Sequence, residues 1–265
     1  MIINVTPTGM IPTKKMNSKT PITVQEIVDD VNRCASIGAN IAHIHARDED
    51  GKPTYKKDIY AKIIEGIRNI HPKLVICVSL SGRNYNEFEK RADPLSLTGD
   101  LKPDMGSLTL SSLNFVQGAS INEPEMIKQL ANRMNDLGIM PELEAFDAGM
   151  VNYAQYLYKK SIIRPPFYFN IILNNITNAQ VRLSHLAAII DELPNPCYWC
   201  CGGIGLKQLD ANLLGMIFGS GVRIGLEDNP VCNMGNVELV ERVLRLAKEL
   251  GKKVASHQEV RDLLF

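Results

Sequence analysis

Eight short runs of mostly apolar residues recur along the chain, separated by longer stretches in which apolar positions return every three or four residues. The short runs cover residues 2–6, 40–45, 74–80, 105–110, 140–146, 167–173, 198–202 and 222–226. Their near-continuous apolar character is that of buried parallel strands. The intervening stretches, 24–37, 57–70, 124–137, 151–160, 179–193, 206–218 and 237–250, have the spacing of amphipathic helices. Thr23, Asn122 and Asn178 stand where helix N-caps are expected, and Gly38, Gly138 and Gly251 just past helix ends. The third crossover, 81–103, contains Gly82, Pro94, Gly99 and Pro103 and cannot be one long helix.

Strand and helix alternating eight times predict an α/β protein with the (β/α)8 TIM-barrel fold, a single catalytic domain over residues 1–265. An open doubly wound sheet alternates in the same way. The count of eight favours the barrel, as do the polar residues at the ends of the predicted strands, among them Thr6, His43, His45, Ser79, Ser107, Glu144, Asn170 and Arg223. The tail, residues 251–265, keeps Val254, Val260, Leu263 and Leu264 for burial and is expected to pack on the barrel or on a neighbour.

Composition narrows the function. A chain of 265 residues with 45% hydrophobic content can bury one full barrel. Lys plus Arg balances Asp plus Glu at 29 each, so no global field selects nucleic acid or an anionic membrane, and a small-molecule partner is expected. Neither a membrane span nor a signal peptide is indicated, which leads to a cytoplasmic expectation. The six cysteines include Cys197, Cys200 and Cys201 within one apolar segment, which suits reduced core thiols. On a strand, Cys197 and Cys200 point to opposite faces, against a metal or redox pair.

His43 and His45 are two apart in a predicted strand, so both imidazoles share a face, and a metal site needs a third ligand. Glu227 ends the eighth strand, which barrel closure brings near the second. Either histidine alone could be a hydrogen-bonded core residue; burying the pair without partners is costly. Arg223 and Asp228 flank Glu227 and can neutralise one another or act on substrate. Glu142 and Glu144 share a face of the fifth strand, where like charges should push one pKa up and allow proton transfer or the orienting of a histidine. The turn Gly202-Gly203-Ile204-Gly205 opens a helix; Gly203 and Gly205 can offer amides to a phosphate or simply make a tight turn. The opening loop, 6–14, can cover the site or serve as an ordinary connection.

Together these residues resemble those of the β-keto acid cleavage enzymes, the 3-keto-5-aminohexanoate cleavage enzyme-like family. The resemblance rests on His-x-His-x-Arg at 43–47, Lys102-Pro103-Asp104-Met105, Leu113-Asn114-Phe115, Pro141-Glu142-Leu143-Glu144 with Gly149-Met150, and residues 223–229. It implies a zinc-binding (β/α)8 barrel, a homotetramer, in which His43, His45 and Glu227 match the metal ligands. It also implies that a β-keto acid and acetyl-CoA are converted to acetoacetate and a new acyl-CoA by an acyltransferase-type carbon–carbon cleavage. Arg223 and Asp228 match the catalytic pair, and Ser79, Gly82 and Ser107 match positions that hold the keto acid. Ile11 stands where members acting on an amino-substituted acid carry glutamate, so the expected substrate tail is neutral or apolar.

The competing readings are a metal-dependent hydrolase or class II aldolase on the same scaffold, or a non-catalytic sensor of a metal or metabolite. Only His71, His185 and His257 remain to build a histidine-rich site, none at a predicted strand end, and no DNA-binding motif supports a sensor.

Overall fold

The computed structural model describes residues 1–265. Its eight parallel strands are β1 (Ile2–Val5), β2 (Ile41–Ile44), β3 (Val75–Val78), β4 (Met105–Thr109), β5 (Met140–Ala145), β6 (Phe167–Leu173), β7 (Cys197–Gly203) and β8 (Gly221–Ile224). Each pairs with its neighbours in sequence, and β8 pairs with β1 from Ile2 opposite Gly221 to Val5 opposite Ile224, closing the barrel. The covering helices are α1 (Val24–Ile37), α2 (Lys57–Arg68), α3 (Phe88–Ala92), α4 (Pro124–Leu137), α5 (Ala148–Lys159), α6 (Leu183–Ile190), α7 (Gln208–Phe218) and α8 (Asn236–Glu249).

The alternation of side chains along each strand divides the apolar residues into two clusters separated by the barrel wall. Outward residues such as Ile3, Val5, Ile44, Ile76 and Val78 pack beneath the helices. Inward residues Ile2, Ile41, Val75, Met105, Tyr168 and Cys200 form a smaller cluster at the N-terminal end. Further up the barrel the inward positions turn polar: Asn4, His43, Glu142, Asn170 and Arg223 are all buried there. The barrel therefore has an apolar floor and a polar upper half, and only the upper half can do chemistry.

The tail forms α9 (His257–Leu264), which seals that floor. Ser256 and Glu259 make a capping box, and the Ala255 amide donates to the Met1 carbonyl. Arg261 donates to the Lys73 and Leu74 carbonyls and to Asp104. Val260 and Leu264 complete the inner cluster.

Several local expectations shift. Asn122 does not cap α4; its side-chain oxygen accepts from Arg91, which ties down the third crossover. Asn178 does not start α6 but donates to Asp147, the residue that caps α5. The third crossover contains α3 and two 3-10 turns, as its glycines and prolines require. Two hairpins were not anticipated, Ala46–Arg47 with Pro53–Thr54 and Leu113–Phe115 with Gly118–Ser120. No helix is long and apolar enough to cross a membrane. The six cysteines are free, and those of β7 are buried in or against the core.

Because Leu264 is 2% exposed beneath the barrel, Leu264→Ala is expected to cost about 2–4 kcal/mol of stability while leaving the distant mouth intact. Thermal unfolding would show this as a lowered Tm with unchanged ligand affinity; an unchanged Tm would mean that α9 is an ornament of the floor and not its seal.

Candidate active site

His43 lies on β2, and His45 follows it past the strand end. Their Nε2 atoms are 3.3 Å apart, His45 Nε2 is 3.2 Å from Glu227 Oε1, and His43 Nε2 is 3.9 Å from Glu227 Oε2. Two zinc–nitrogen bonds of about 2.0–2.1 Å at a tetrahedral angle put the nitrogens about 3.3 Å apart, so the set fits one divalent cation. Glu227 Oε2 is buried with no hydrogen-bond partner, an orphan that a cation would satisfy. The opening loop reaches Glu227 through Gly9. Its φ is +67°, and a Cβ there would lie 2.5 Å from Glu227 Cγ. Arg47, the arginine of the His-x-His-x-Arg run, holds that loop by donating to the Gly9 and Pro12 carbonyls.

Below the pair, His43 Nδ1 meets Glu142 Oε2 at 2.5 Å. Glu142 also accepts from Asn4 at 2.7 Å and from the Cys77 thiol. Burial works against charge on both groups, yet their mutual attraction wins. Glu142 and Glu227 raise His43 to about 9, and His43 holds Glu142 down at about 2. The bond at Nδ1 turns Nε2 toward the mouth, which is how an outer carboxylate fixes a metal-ligating imidazole. The expected upward push from a like charge does not reach Glu142, because His43 pairs with it and holds it down. Glu144 accepts from Thr109 at 2.7 Å and pairs with Arg223.

Arg223, 1% exposed on β8, is the centre of charge at the mouth. Its Nε donates to Asp228 at 2.9 Å, its Nη2 to Glu227 at 2.9 Å and its Nη1 to Glu144 at 3.2 Å. Gly202 on β7 has no Cβ, which a side chain would place 3.1 Å from Arg223 Cβ. Burial, with help from Glu227, raises the Asp228 pKa, and Arg223 opposes the rise. Burial and the neighbouring carboxylate together outweigh Arg223 and make Asp228 a stronger base than an ordinary aspartate. For Glu227 the balance reverses: burial is outweighed by His45, Arg223 and His43, and its carboxyl is held well below the usual range.

Ser79 and Ser107 face the same cavity as the histidines, Glu144, Arg223, Glu227 and Asp228. Ser107 Oγ accepts from the Leu80 amide, which leaves its proton free to donate. Gly82 does not line the cavity; it packs where a Cβ would sit 2.2 Å from the Ile121 carbonyl. Gly203 and Gly205 also correct the phosphate expectation. The Gly205 amide donates to the Asp228 carbonyl and the Ile204 amide to Leu173, while Gly203 packs against Ala211. The Ile204 and Gly205 amides are thus engaged within the protein, the latter fixing Asp228, and neither Gly203 nor Gly205 lines the cavity. The opening loop does cover the site, through Met10 and Ile11. Sequence reasoning missed Arg83 and named Phe115 only as part of a matching run; they line the cavity from the third crossover and the second hairpin. His71, His185 and His257 bond elsewhere, to Asn32, Gln180 and Ala39 respectively.

The chain is similar to known proteins along its whole length. A protein from Fusobacterium nucleatum called 3-keto-5-aminohexanoate cleavage enzyme is 34% identical over 270 residues, covering 100% of this chain and 97% of its own. The 3-oxoadipate:acetyl-CoA acetyltransferase of Cupriavidus necator is 33% identical over 272 residues, covering 99% of this chain and 94% of its own. Among solved structures, apo ObcA superposes with a TM-score of 0.78 at 19% identity over 93% of this chain, which spans 65% of the ObcA chain and shows a shared fold. The family described as beta-keto acid cleavage enzyme matches residues 1–265, and the chain therefore belongs to the β-keto acid cleavage enzymes.

Proposed function

We propose that the protein condenses a β-keto acid with acetyl-CoA and releases acetoacetate and a new acyl-CoA. The observation that carries this reading is the convergence of His43, His45 and Glu227 beside the Arg223–Asp228 pair in one cavity. A divalent cation, zinc by the character of the ligand set, would be held by those three residues and would supply Lewis-acid polarisation of the β-carbonyl. Asp228, made more basic by its surroundings, takes a proton from the carbon between the carbonyl and the carboxylate. That carbon attacks the acetyl thioester and CoA leaves as thiolate. The thiolate adds to the original β-carbonyl, the carbon–carbon bond breaks toward the acetylated fragment, and Asp228 returns its proton to give acetoacetate. Arg223 aims Asp228 throughout, and Glu144, bonded to Arg223 and Thr109, keeps the guanidinium in plane. The hydroxyls of Ser79 and Ser107 are placed to donate to the acid. A homotetramer and a cytoplasmic location belong to the same reading.

The test is acetyl-CoA-dependent acetoacetate formation. His45→Ala is expected to lose bound metal and activity together. Asp228→Asn should retain metal and fold but lose about 100- to 10,000-fold in kcat. Chelation should silence the wild type, and zinc should restore it; turnover that survives chelation would discard the metal reading.

The substrate tail is read from the loop. Ile11 and Met10 line the cavity where a cationic tail would want a carboxylate, and Glu144 is already engaged. Aliphatic β-keto acids should therefore be cleaved with higher kcat/KM than amino-substituted ones of equal length, and the opposite order would overturn this assignment.

In the metal-free protein, the His43–Glu142 pair stabilises fully between 4.5 and 6.5, the ordinary carboxyl and imidazole values, and is lost as the pH rises through about 9 or falls through about 2. A cation at Nε2 displaces the second proton of His43. Metal-free Tm should accordingly fall over the upper window while metal affinity tightens. Calorimetric titration with zinc in two buffers of different ionisation enthalpy counts the released proton; none released near neutrality would remove Nε2 from the ligand set.

A further inference from the structure

Arg83 follows Gly82 in the third crossover and turns its side chain into the cavity. Its Cζ lies 3.5 Å from the centroid of the Phe115 ring, and Phe115 stands edge-on to Phe146 with ring centroids 5.7 Å apart. The guanidinium makes no ion pair and no side-chain hydrogen bond: the three acidic residues lining the same cavity all belong to Arg223. Arg83 is thus a cation held by an aromatic face with its donors uncommitted.

A guanidinium that serves the fold is paired, because desolvation without a partner is costly. Burial does lower the Arg83 pKa, and the more distant Glu227, Glu144 and Asp228 only partly offset this. The ring holds the cation in place while leaving its fork of N–H groups free, a preorganised receptor for two oxygens of one anion. The neighbouring wall is of matching chemistry. Ser79, Ser81 and Ser107 present hydroxyls to the same space, and no lysine lines it. A flat anion with two equivalent oxygens suits such a fork and its hydroxyl neighbours.

We propose that Arg83 is the carboxylate-binding residue of the keto-acid site, fixing the acid for attack and selecting anionic substrates. The assignment rests on the keto-acid reading above. The carboxylate has two possible sources, the acid group common to all β-keto acids and a second one at the far end of a keto diacid.

The experiment compares 3-oxohexanoate, with one carboxylate, and 3-oxoadipate, with two. Each is bound calorimetrically to metal-loaded wild type, Arg83→Met and Arg83→Lys without acetyl-CoA, and then assayed with it. Since the guanidinium makes no ion pair or hydrogen bond with the protein and methionine keeps an apolar chain against the Phe115 ring, Arg83→Met is expected to fold with little change in Tm. Affinity for the bound acid should fall about 10- to 100-fold, with partial recovery in Arg83→Lys and an unchanged KM for acetyl-CoA. Equal losses for both acids assign the common carboxylate; a loss confined to 3-oxoadipate assigns the distal one and makes the substrate a diacid. Unchanged affinity for both, or a rise in the acetyl-CoA KM alone, overturns the proposal. Wild type that binds the acids but forms no acetoacetate sinks the proposed reaction while still testing Arg83, whereas wild type that binds neither removes both.

Discussion

The Arg223 guanidinium is the charge on which the mouth of the barrel depends. Three carboxylates, Glu144, Glu227 and Asp228, come from two strand ends into a space from which water is largely excluded. Without a cation among them they would repel one another and take up protons. With it, each is turned in its own direction: Glu227 toward the histidines, Glu144 toward Thr109, Asp228 toward the cavity. Removing one partner of such a buried set costs about 3–5 kcal/mol, so its geometry is stiff. That stiffness keeps Glu227 firmly ionised while its neighbour Asp228 is pushed the other way.

Glu142 does the same work one layer down. It takes its charge balance from His43 and its remaining hydrogen bonds from Asn4 and Cys77, so the column beneath the site is polar yet almost satisfied. Below that the barrel is apolar and shut by α9. The division explains why chemistry is confined to one end: the floor has no partner to offer a charge, and the mouth gathers the charged side chains beneath apolar loop residues. The loops add the rest. Arg47 and Gly9 press the opening loop over Glu227, and the third crossover brings Arg83 onto Phe115.

Much of this was legible in the chain. Strand alternation and helical spacing gave eight βα units because a barrel wall imposes period two within strands and buries a stripe on each helix. His43 and His45, two apart on a strand, had to share a face, and Glu227 at the closing strand had to come near them. Local punctuation was less dependable. Asn122 and Asn178 looked like caps because asparagine favours that position, but each found a better partner across the fold in Arg91 and Asp147. The glycines of 202–205 looked like a phosphate turn because free amides cannot be told from engaged ones in a sequence; here Asp228 and Leu173 take them.

The sequence by itself determined the barrel and the strand-end residues, which follow from periodicity and from residue types at fixed spacing, and the likeness of its motifs pointed to the family. Only the tertiary structure decided which glutamate serves His43 and which serves Arg223, how burial and neighbouring charge move Asp228 one way and Glu227 the other, and that Arg83 faces the cavity without a partner. Those outcomes depend on distances of a few ångströms between strands and loops far apart in the chain. Coulomb attraction, desolvation and hydrogen bonding all change steeply over such distances.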